Sequence, residues 1–194
     1  MRFFKRREKK PEQRKDYSQF PQIDLKKEIL EEFLPMIETF TEEGIYALSL
    51  FVSHVDYDPT KPNVYLGYNT LAQVREEMKS TSEQEARWNY ACWLQNEVAE
   101  FGIESEPDKT GAWVFQQHLT SDMDEEEGWM RFVNVLVQVV QEIHKTGVLT
   151  KQFGRELPIL IHELEYCDQI AIQNIEANGT ENVPESFIRF CMEC

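Results

Sequence analysis

Six side chains that lie close together in the sequence could bind a ligand. They are Asn69, Thr70, Arg87, Trp88, Tyr90 and Trp93. The last four have large, partly polar side chains of the kind enriched at binding hot spots. The first two stand at a predicted strand-to-helix corner, and the other four fall near the start of a predicted helix. The alternative is structural: the tryptophans pack the core, Thr70 caps a helix and Arg87 pairs with a nearby acid.

The sequence contains none of the common patterns that mark a catalytic or nucleotide site. Its glycines are scattered and form no phosphate-binding loop or nucleophile elbow. His162-Glu163 begins like a zinc-protease motif, but Tyr166 stands where the second histidine is needed. A nucleophilic site made by His54, His162 and Cys167 would require them to meet in space. We therefore predict no catalytic residue and no cofactor.

Two cysteines near the end of the chain have the spacing of a redox or metal pair. They are Cys191 and Cys194, and the sequence offers no second pair of ligands to complete a metal site. We interpret them as reduced thiols and predict no bound metal.

Charge is distributed unevenly along the chain. The formal net charge is −15, but residues 1–16 hold eight basic and three acidic side chains, a net +5, which leaves −20 for the remainder. A body this acidic repels nucleic acid and anionic membranes and attracts basic partners. The alternative is that the negative charge has no binding role and only keeps the protein soluble. Recognition residues often lie in loops, and the predicted loops carry these acids: Asp56, Asp58, Glu104, Glu106 and Asp108.

The chain is long enough for one domain with its own core. We predict a basic flexible arm over 1–22, one domain over 23–180 and a C-terminal tail over 181–194 that docks through residues 187–190. No stretch approaches a membrane span or a secretory signal, so a cytoplasmic location is expected.

Hydrophobic periodicity, caps and breakers predict an α+β fold: a small mixed, mainly antiparallel sheet with helices packed on it. Pro35 should kink or split the first helix. Strands 45–52 and 64–68 should pair antiparallel, because their connection is too short for a crossover helix. The predicted helices cover 24–40, 70–79, 82–101, 121–146 and 168–178, and the predicted strands cover 45–52, 64–68, 113–115 and 157–162.

Several short motifs in this order resemble the bacterial family known as domain of unknown function 4303 (DUF4303). They are Tyr46 to Leu50, Tyr68-Asn69-Thr70, Arg87 to Tyr90 with Trp93, and Leu157 to Ile161. The resemblance covers about residues 24–180 and implies a bacterial cytosolic domain with no established catalytic residues. Some members of the family have been grouped with immunity proteins of toxin systems.

Two hypotheses of different classes follow. In the first, the chain is a non-catalytic protein-binding module, in its most specific form an immunity-like antitoxin that occludes a basic toxin. In the second, it is a small enzyme or ligand-binding domain with a pocket near Asn69, Arg87, Trp88 and Tyr90. A blander third option is an accessory domain that joins an assembly through its apolar tail.

Overall fold

The computed structural model describes residues 15–93 and 95–193. Within these ranges the chain forms helices and strands in this order: α1 (Leu25–Ile37), β1 (Ile45–His54), β2 (Pro62–Thr70), α2 (Leu71–Glu77), α3 (Glu83–Trp88), β3 (Gln95–Gly102), α4 (Pro107–Gln116), α5 (Glu125–Thr146), α6 (Val148–Phe153), β4 (Ile159–His162), α7 (Asp168–Asn178) and α8 (Glu185–Glu193). Among the described helices, none combines enough length with enough apolar residues to span a bilayer.

The four strands form one mixed sheet in the order β3-β2-β1-β4. β2 pairs antiparallel with β1 and with β3, whereas β4 pairs parallel with β1 from Leu48↔Ile159 to Phe51↔His162. The predicted α+β class, with a mixed and mainly antiparallel sheet, is confirmed. Because β1, β3 and β4 run in the same direction, they all end at one side of the sheet, which we call the carboxyl edge.

One face of the sheet carries the larger apolar core. Leu48, Leu50 and Val52 alternate along β1 and point to this face, as the period of a strand requires. The amphipathic helices α1 and α5 cover it, with side chains such as Phe33 and Phe132 fully buried. Burial of these apolar faces provides the main stabilisation of the fold.

The opposite face carries a smaller, more aromatic core. Tyr46, Trp88 and Trp93 pack there with Phe187 and Phe190 of α8. The C-terminal segment predicted as a docking tail is therefore a helix whose apolar side lies in this second core.

The outer edge of β4 is covered by side chains of α7 rather than by another strand. Asn174 Oδ1 accepts a hydrogen bond from Ile161 N at 2.8 Å, and Asn178 Oδ1 accepts one from Ile159 N at 2.8 Å. The two carboxamides also donate to the carbonyl oxygens of the same strand residues. Four residues apart on one helix face, they satisfy the backbone of the edge strand as a neighbouring strand would.

Most predicted helix starts are confirmed by their caps. The side chains of Asp24, Thr70 and Ser82 accept hydrogen bonds from the third backbone N–H that follows each of them. α1 runs without interruption past Pro35 and ends at Ile37 rather than Phe40, so the proline does not split it. α5 is capped by Asp124 instead of Ser121.

Two predicted elements are wrong. The helix predicted over 82–101 ends at Trp88, because Asn89 adopts an extended backbone and caps a short turn at Tyr90–Cys92, and the chain continues as β3. Pairing with β2 overrides the local helical pattern there. The strand predicted over 113–115 lies inside α4, which starts with Pro107 in its first turn, where proline favours a helix.

Residues 1–14 of the predicted basic arm lie outside the described residues. The part of the arm that is described lies against α4. Lys15 forms an ion pair with Asp108, and the Tyr17 hydroxyl donates to the Pro107 carbonyl at 3.4 Å.

Candidate functional site

Four of the six predicted site residues contact Tyr46 in the structure: Asn69, Arg87, Trp88 and Trp93. Asn69 and Thr70 both have hydrogen-bond partners within the chain. Asn69 is buried; its Nδ2 donates to the Tyr46 hydroxyl at 3.1 Å and its Oδ1 accepts from the backbone N–H of Thr70 at 2.8 Å. Thr70 Oγ1 accepts from Gln73 N at 3.1 Å and so caps α2. Burial raises the pKa of Tyr46, which stays a neutral donor to the carbonyl of Arg87 at 2.6 Å.

The three large rings of the predicted site are buried, Trp88 and Trp93 in the second core and Tyr90 against Phe51 and Trp93. The Trp93 indole N–H donates to the Arg87 carbonyl at 3.0 Å, and the Tyr90 ring stacks on Phe51 with centroids 4.5 Å apart. Trp88 packs edge-on against Tyr46, and its indole N–H has no hydrogen-bond partner among the described residues. Burial raises the pKa of Tyr90.

Arg87 lies on the surface of this cluster. Its Nη2 and Nε are each 3.1 Å from Glu83 Oε1, and its guanidinium carbon is 5.4 Å from the centroid of the Tyr46 ring. Each of the six residues thus has a packing, capping or pairing role. Ligand binding by them stays a prediction, and the cleft found in the structure is lined by none of the six.

The cleft has a volume of about 770 Å³ and lies at the carboxyl edge. It opens between the end of β1, the start of α5 and the segment after β4, where parallel strands end side by side. Such crevices outside strand carboxyl ends are common ligand sites. Its lining consists of residues 51–54, Tyr57, Asp124, Glu126, Trp129 and residues 163–165.

The charged groups in the lining are all acidic. Four carboxylates contribute, and no lysine or arginine occurs in this lining: Asp124, Glu126, Glu163 and Glu165. Asp124 accepts from Glu127 N and caps α5. Glu126 and Glu165 are exposed, and neither has an ion pair within the part of the chain that the structure describes. These two acids therefore remain available to a cation from outside.

His54 forms part of the wall. Its ring packs against Trp129 with centroids 4.7 Å apart, and both ring nitrogens are buried without a hydrogen-bond partner among the described residues. Burial lowers the pKa of His54 to about 4, which outweighs the opposing effect of the Asp58 carboxylate. The ring is therefore neutral near pH 7 and does not repel a cation in the cleft.

Two apolar side chains stand on the rim. Tyr57 is 84% exposed and Leu164 is 69% exposed. Asp56 and Tyr57 both have positive φ angles, 59° and 56°, which is a costly conformation for residues with a side chain. Lys61 lies 3.1 Å from a carboxylate oxygen of Asp56 and supports this turn.

The loop acids predicted for recognition lie near the same edge, but most of them have partners. Lys61 pairs with Asp56 and Asp58, Lys109 with Glu106, and Lys15 with Asp108. Glu104 accepts from the Asn63 side chain at 2.9 Å.

Sequence reasoning missed Glu126 and Glu165 as cleft residues, because only the parallel pairing of β1 and β4 places the residues after β4 beside the start of α5.

His54, His162 and Cys167, which a nucleophilic site would require to meet, have separate surroundings in the structure. His162 Nε2 lies 2.7 Å from Ser49 Oγ and its Nδ1 lies 2.9 Å from the Glu163 carbonyl oxygen, with the whole pair buried. Cys167 is exposed at the start of α7. Burial lowers the pKa of His162 to about 4, so the ring accepts from the Ser49 hydroxyl and donates to the carbonyl.

Within the described ranges, no group of three or more histidine, cysteine or acidic side chains could hold a metal ion. Cys191 is buried in α8, and Cys194 lies outside the described residues.

The comparisons with known proteins leave the family open. No family model matches the chain, and neither a curated protein nor a solved structure is similar to it. The resemblance to DUF4303 stays a prediction.

Proposed function

We propose that the chain is a non-catalytic binding module that holds a basic protein partner in the acidic cleft. The observation that carries this proposal is the composition of the cleft: its lining has four carboxylates and no lysine or arginine, beneath an exposed Tyr57 and Leu164. Exposed aromatic and apolar groups beside charged ones are what a protein interface needs at its centre and rim.

The charge of the whole body supports the same function. Residues 17–194 carry −20, so the field around the cleft draws a basic surface toward it and speeds encounter. In its most specific form, the module is an immunity-like protein that occludes the active surface of a basic toxin. The resemblance to DUF4303 points to this form, and the charge is consistent with it.

A catalytic role has less support from the site. The hydrogen-bonded Ser49 and His162 side chains are 0% and 2% exposed, and they lie beneath the rings of Tyr90 and Trp93 rather than in the cleft. A substrate would have to displace this packing to reach the hydroxyl group.

The test compares two double charge reversals. Glu126→Lys with Glu165→Lys changes the cleft. Glu43→Lys with Glu181→Lys makes the same change in net charge at the opposite edge of the sheet. Glu43 comes just before β1, and Glu181 follows Asn178, the last residue of α7, which binds Ile159 at the start of β4. All four acids are exposed.

Proteins that the wild type captures from a native lysate at low salt are identified and purified. Calorimetry then measures the affinity of each captured protein for the wild type, the cleft variant and the opposite-edge variant. We expect a basic partner that binds the wild type and the opposite-edge variant and is lost from the cleft variant. Binding of this partner should weaken at high salt, because dissolved ions screen the charges and the Debye length falls to about 3 Å near 1 M. Equal loss of binding in both variants would show that net charge alone is responsible, and equal binding to the wild type and both variants would show that the cleft does not hold the partner. The absence of any basic partner at low salt would reject the proposed function.

A further inference from the structure

The charge, shape and aromatic lining of the cleft restrict which cation it can take. A positive ligand is favoured, because Glu126 and Glu165 lie in the lining without an ion pair among the described residues and His54 beside them is neutral. The described acids do not converge into a group able to hold a metal ion. A cleft of about 770 Å³ with dispersed carboxylates suits a larger organic cation with several N–H donors.

Aromatic side chains distinguish between the two basic residues of a protein partner. Phe51, Tyr57 and Trp129 are the aromatic residues of the lining besides His54. An arginine guanidinium is planar and weakly hydrated, and it stacks on aromatic faces while its N–H groups reach carboxylates. A lysine ammonium is a compact, strongly hydrated charge that gains less from the same surface.

The molecule already contains one arginine in such surroundings. The guanidinium of Arg87 is held between the Glu83 carboxylate, with contacts of 3.1 Å, and the Tyr46 ring at 5.4 Å. The cleft lining contains the same two kinds of residue, acidic and aromatic, without a lysine or an arginine.

Resting on the proposed function, we infer that the cleft is an arginine-binding site, in which Trp129 and Tyr57 contact the guanidinium and Glu126 and Glu165 accept its N–H groups. The partner is anchored by an arginine side chain rather than by a lysine. The turn at Asp56 and Tyr57, which Lys61 supports, places the Tyr57 ring at the rim of this site.

The test uses three hexapeptides of alternating glycine and arginine, lysine or citrulline, titrated against the full chain by calorimetry at low salt. We expect the arginine peptide to bind about fivefold more tightly than the lysine peptide, and the neutral citrulline peptide not to bind. Trp129→Leu should bring the arginine-to-lysine ratio close to one. Phe115→Leu, which removes an exposed aromatic ring outside the cleft, should leave the ratio unchanged.

A second readout uses the wild-type protein alone, so it does not require any variant to fold. In the wild-type protein, the indole N–H resonance of Trp129 should shift with the arginine peptide more than with the lysine peptide. Equal affinities for arginine and lysine would overturn the arginine assignment and leave the proposed function standing, whereas failure of both charged peptides to bind would count against both. If free methylguanidinium bound as tightly as the arginine peptide, the source of the cation would be a small molecule and the protein partner would be rejected.

Discussion

Two histidines end the two parallel strands of the sheet, and they show how a core residue differs from a site residue. His54 is the last residue of β1 and His162 is the last residue of β4. Burial lowers the pKa of both to about 4. The ring nitrogens of His162 lie 2.7 Å from Ser49 Oγ and 2.9 Å from the Glu163 carbonyl oxygen, whereas those of His54 have no partner among the described residues.

The difference follows from what each ring lies against. His162 lies on the face of the sheet that is covered by Tyr90, Trp93 and Tyr166. Its ring nitrogens have hydrogen-bond partners within that packed region. His54 lies against Trp129 in the wall of the cleft. A buried polar group without a partner destabilises the fold, and departures of this kind are found more often at functional sites than elsewhere.

The largest expected effect separates the two rings directly. His162→Leu should lower the free energy of unfolding by about 2–4 kcal/mol, because the Ser49 hydroxyl and the Glu163 carbonyl each lose a buried hydrogen bond. His54→Leu should change it by less than about 0.5 kcal/mol or raise it, since no hydrogen bond in the described structure is lost. Urea denaturation measures both. Similar losses in the two variants would mean that the two rings do not differ in this way.

A second effect, of comparable size, concerns pH. Both folded-state pKa values are near 4 against an ordinary value of 6.5, so the unfolded chain binds protons that the folded chain excludes. As pH falls from 6.5 toward 4, stability should therefore decrease by about 1.4 kcal/mol per pH unit for each histidine. The lowered carboxyl pKa of Asp58 and of Glu156 removes stability at still lower pH.

Denaturation at a series of pH values, with the wild type and His162→Gln side by side, isolates one of the two histidine contributions. The variant should lose about half of the histidine-dependent slope between pH 6.5 and 4. An unchanged slope would contradict the burial of an uncharged His162.

The smallest effect is expected at the predicted ligand site. Arg87→Ala removes a partly exposed ion pair with Glu83 and a contact with the Tyr46 ring, so the loss should be about 0.5–1 kcal/mol. Partner binding at the cleft should be unchanged, and Arg87→Lys serves as a charge-conserving control. Loss of binding by a folded Arg87→Ala protein would instead support the predicted site around Asn69 and Trp88.

Local signals predicted much of the fold. The caps Asp24, Thr70 and Ser82, the apolar stripe of α5 and the short connection between β1 and β2 each depend on residues close in sequence. The failures were at β3 and α4, where an apolar pattern fits either element. Pairing with β2 decided the first, and the second was missed although Pro107 offered a signal for a helix start.

The candidate site could be predicted from the sequence less well than the fold. The predicted group around Arg87 did come together, but the hydrogen bonds of Asn69, Trp93 and Tyr46 satisfy one another inside the second core. Large polar aromatics look the same in sequence whether they pack a core or line a cleft. The excess of acids pointed correctly to negative surface and could not indicate which carboxylates would be free of ion pairs.

By itself, the sequence determined the fold class, most helix starts and a strongly acidic body, because composition, caps and periodicity are local properties. Only the tertiary structure decided that β4 lies parallel to β1, that Glu126 and Glu165 therefore share one cleft, and that His162 has hydrogen-bond partners while His54 lacks them among the described residues. These outcomes depend on contacts between segments about a hundred residues apart, where strand direction and packing, rather than residue type, determine which polar groups meet.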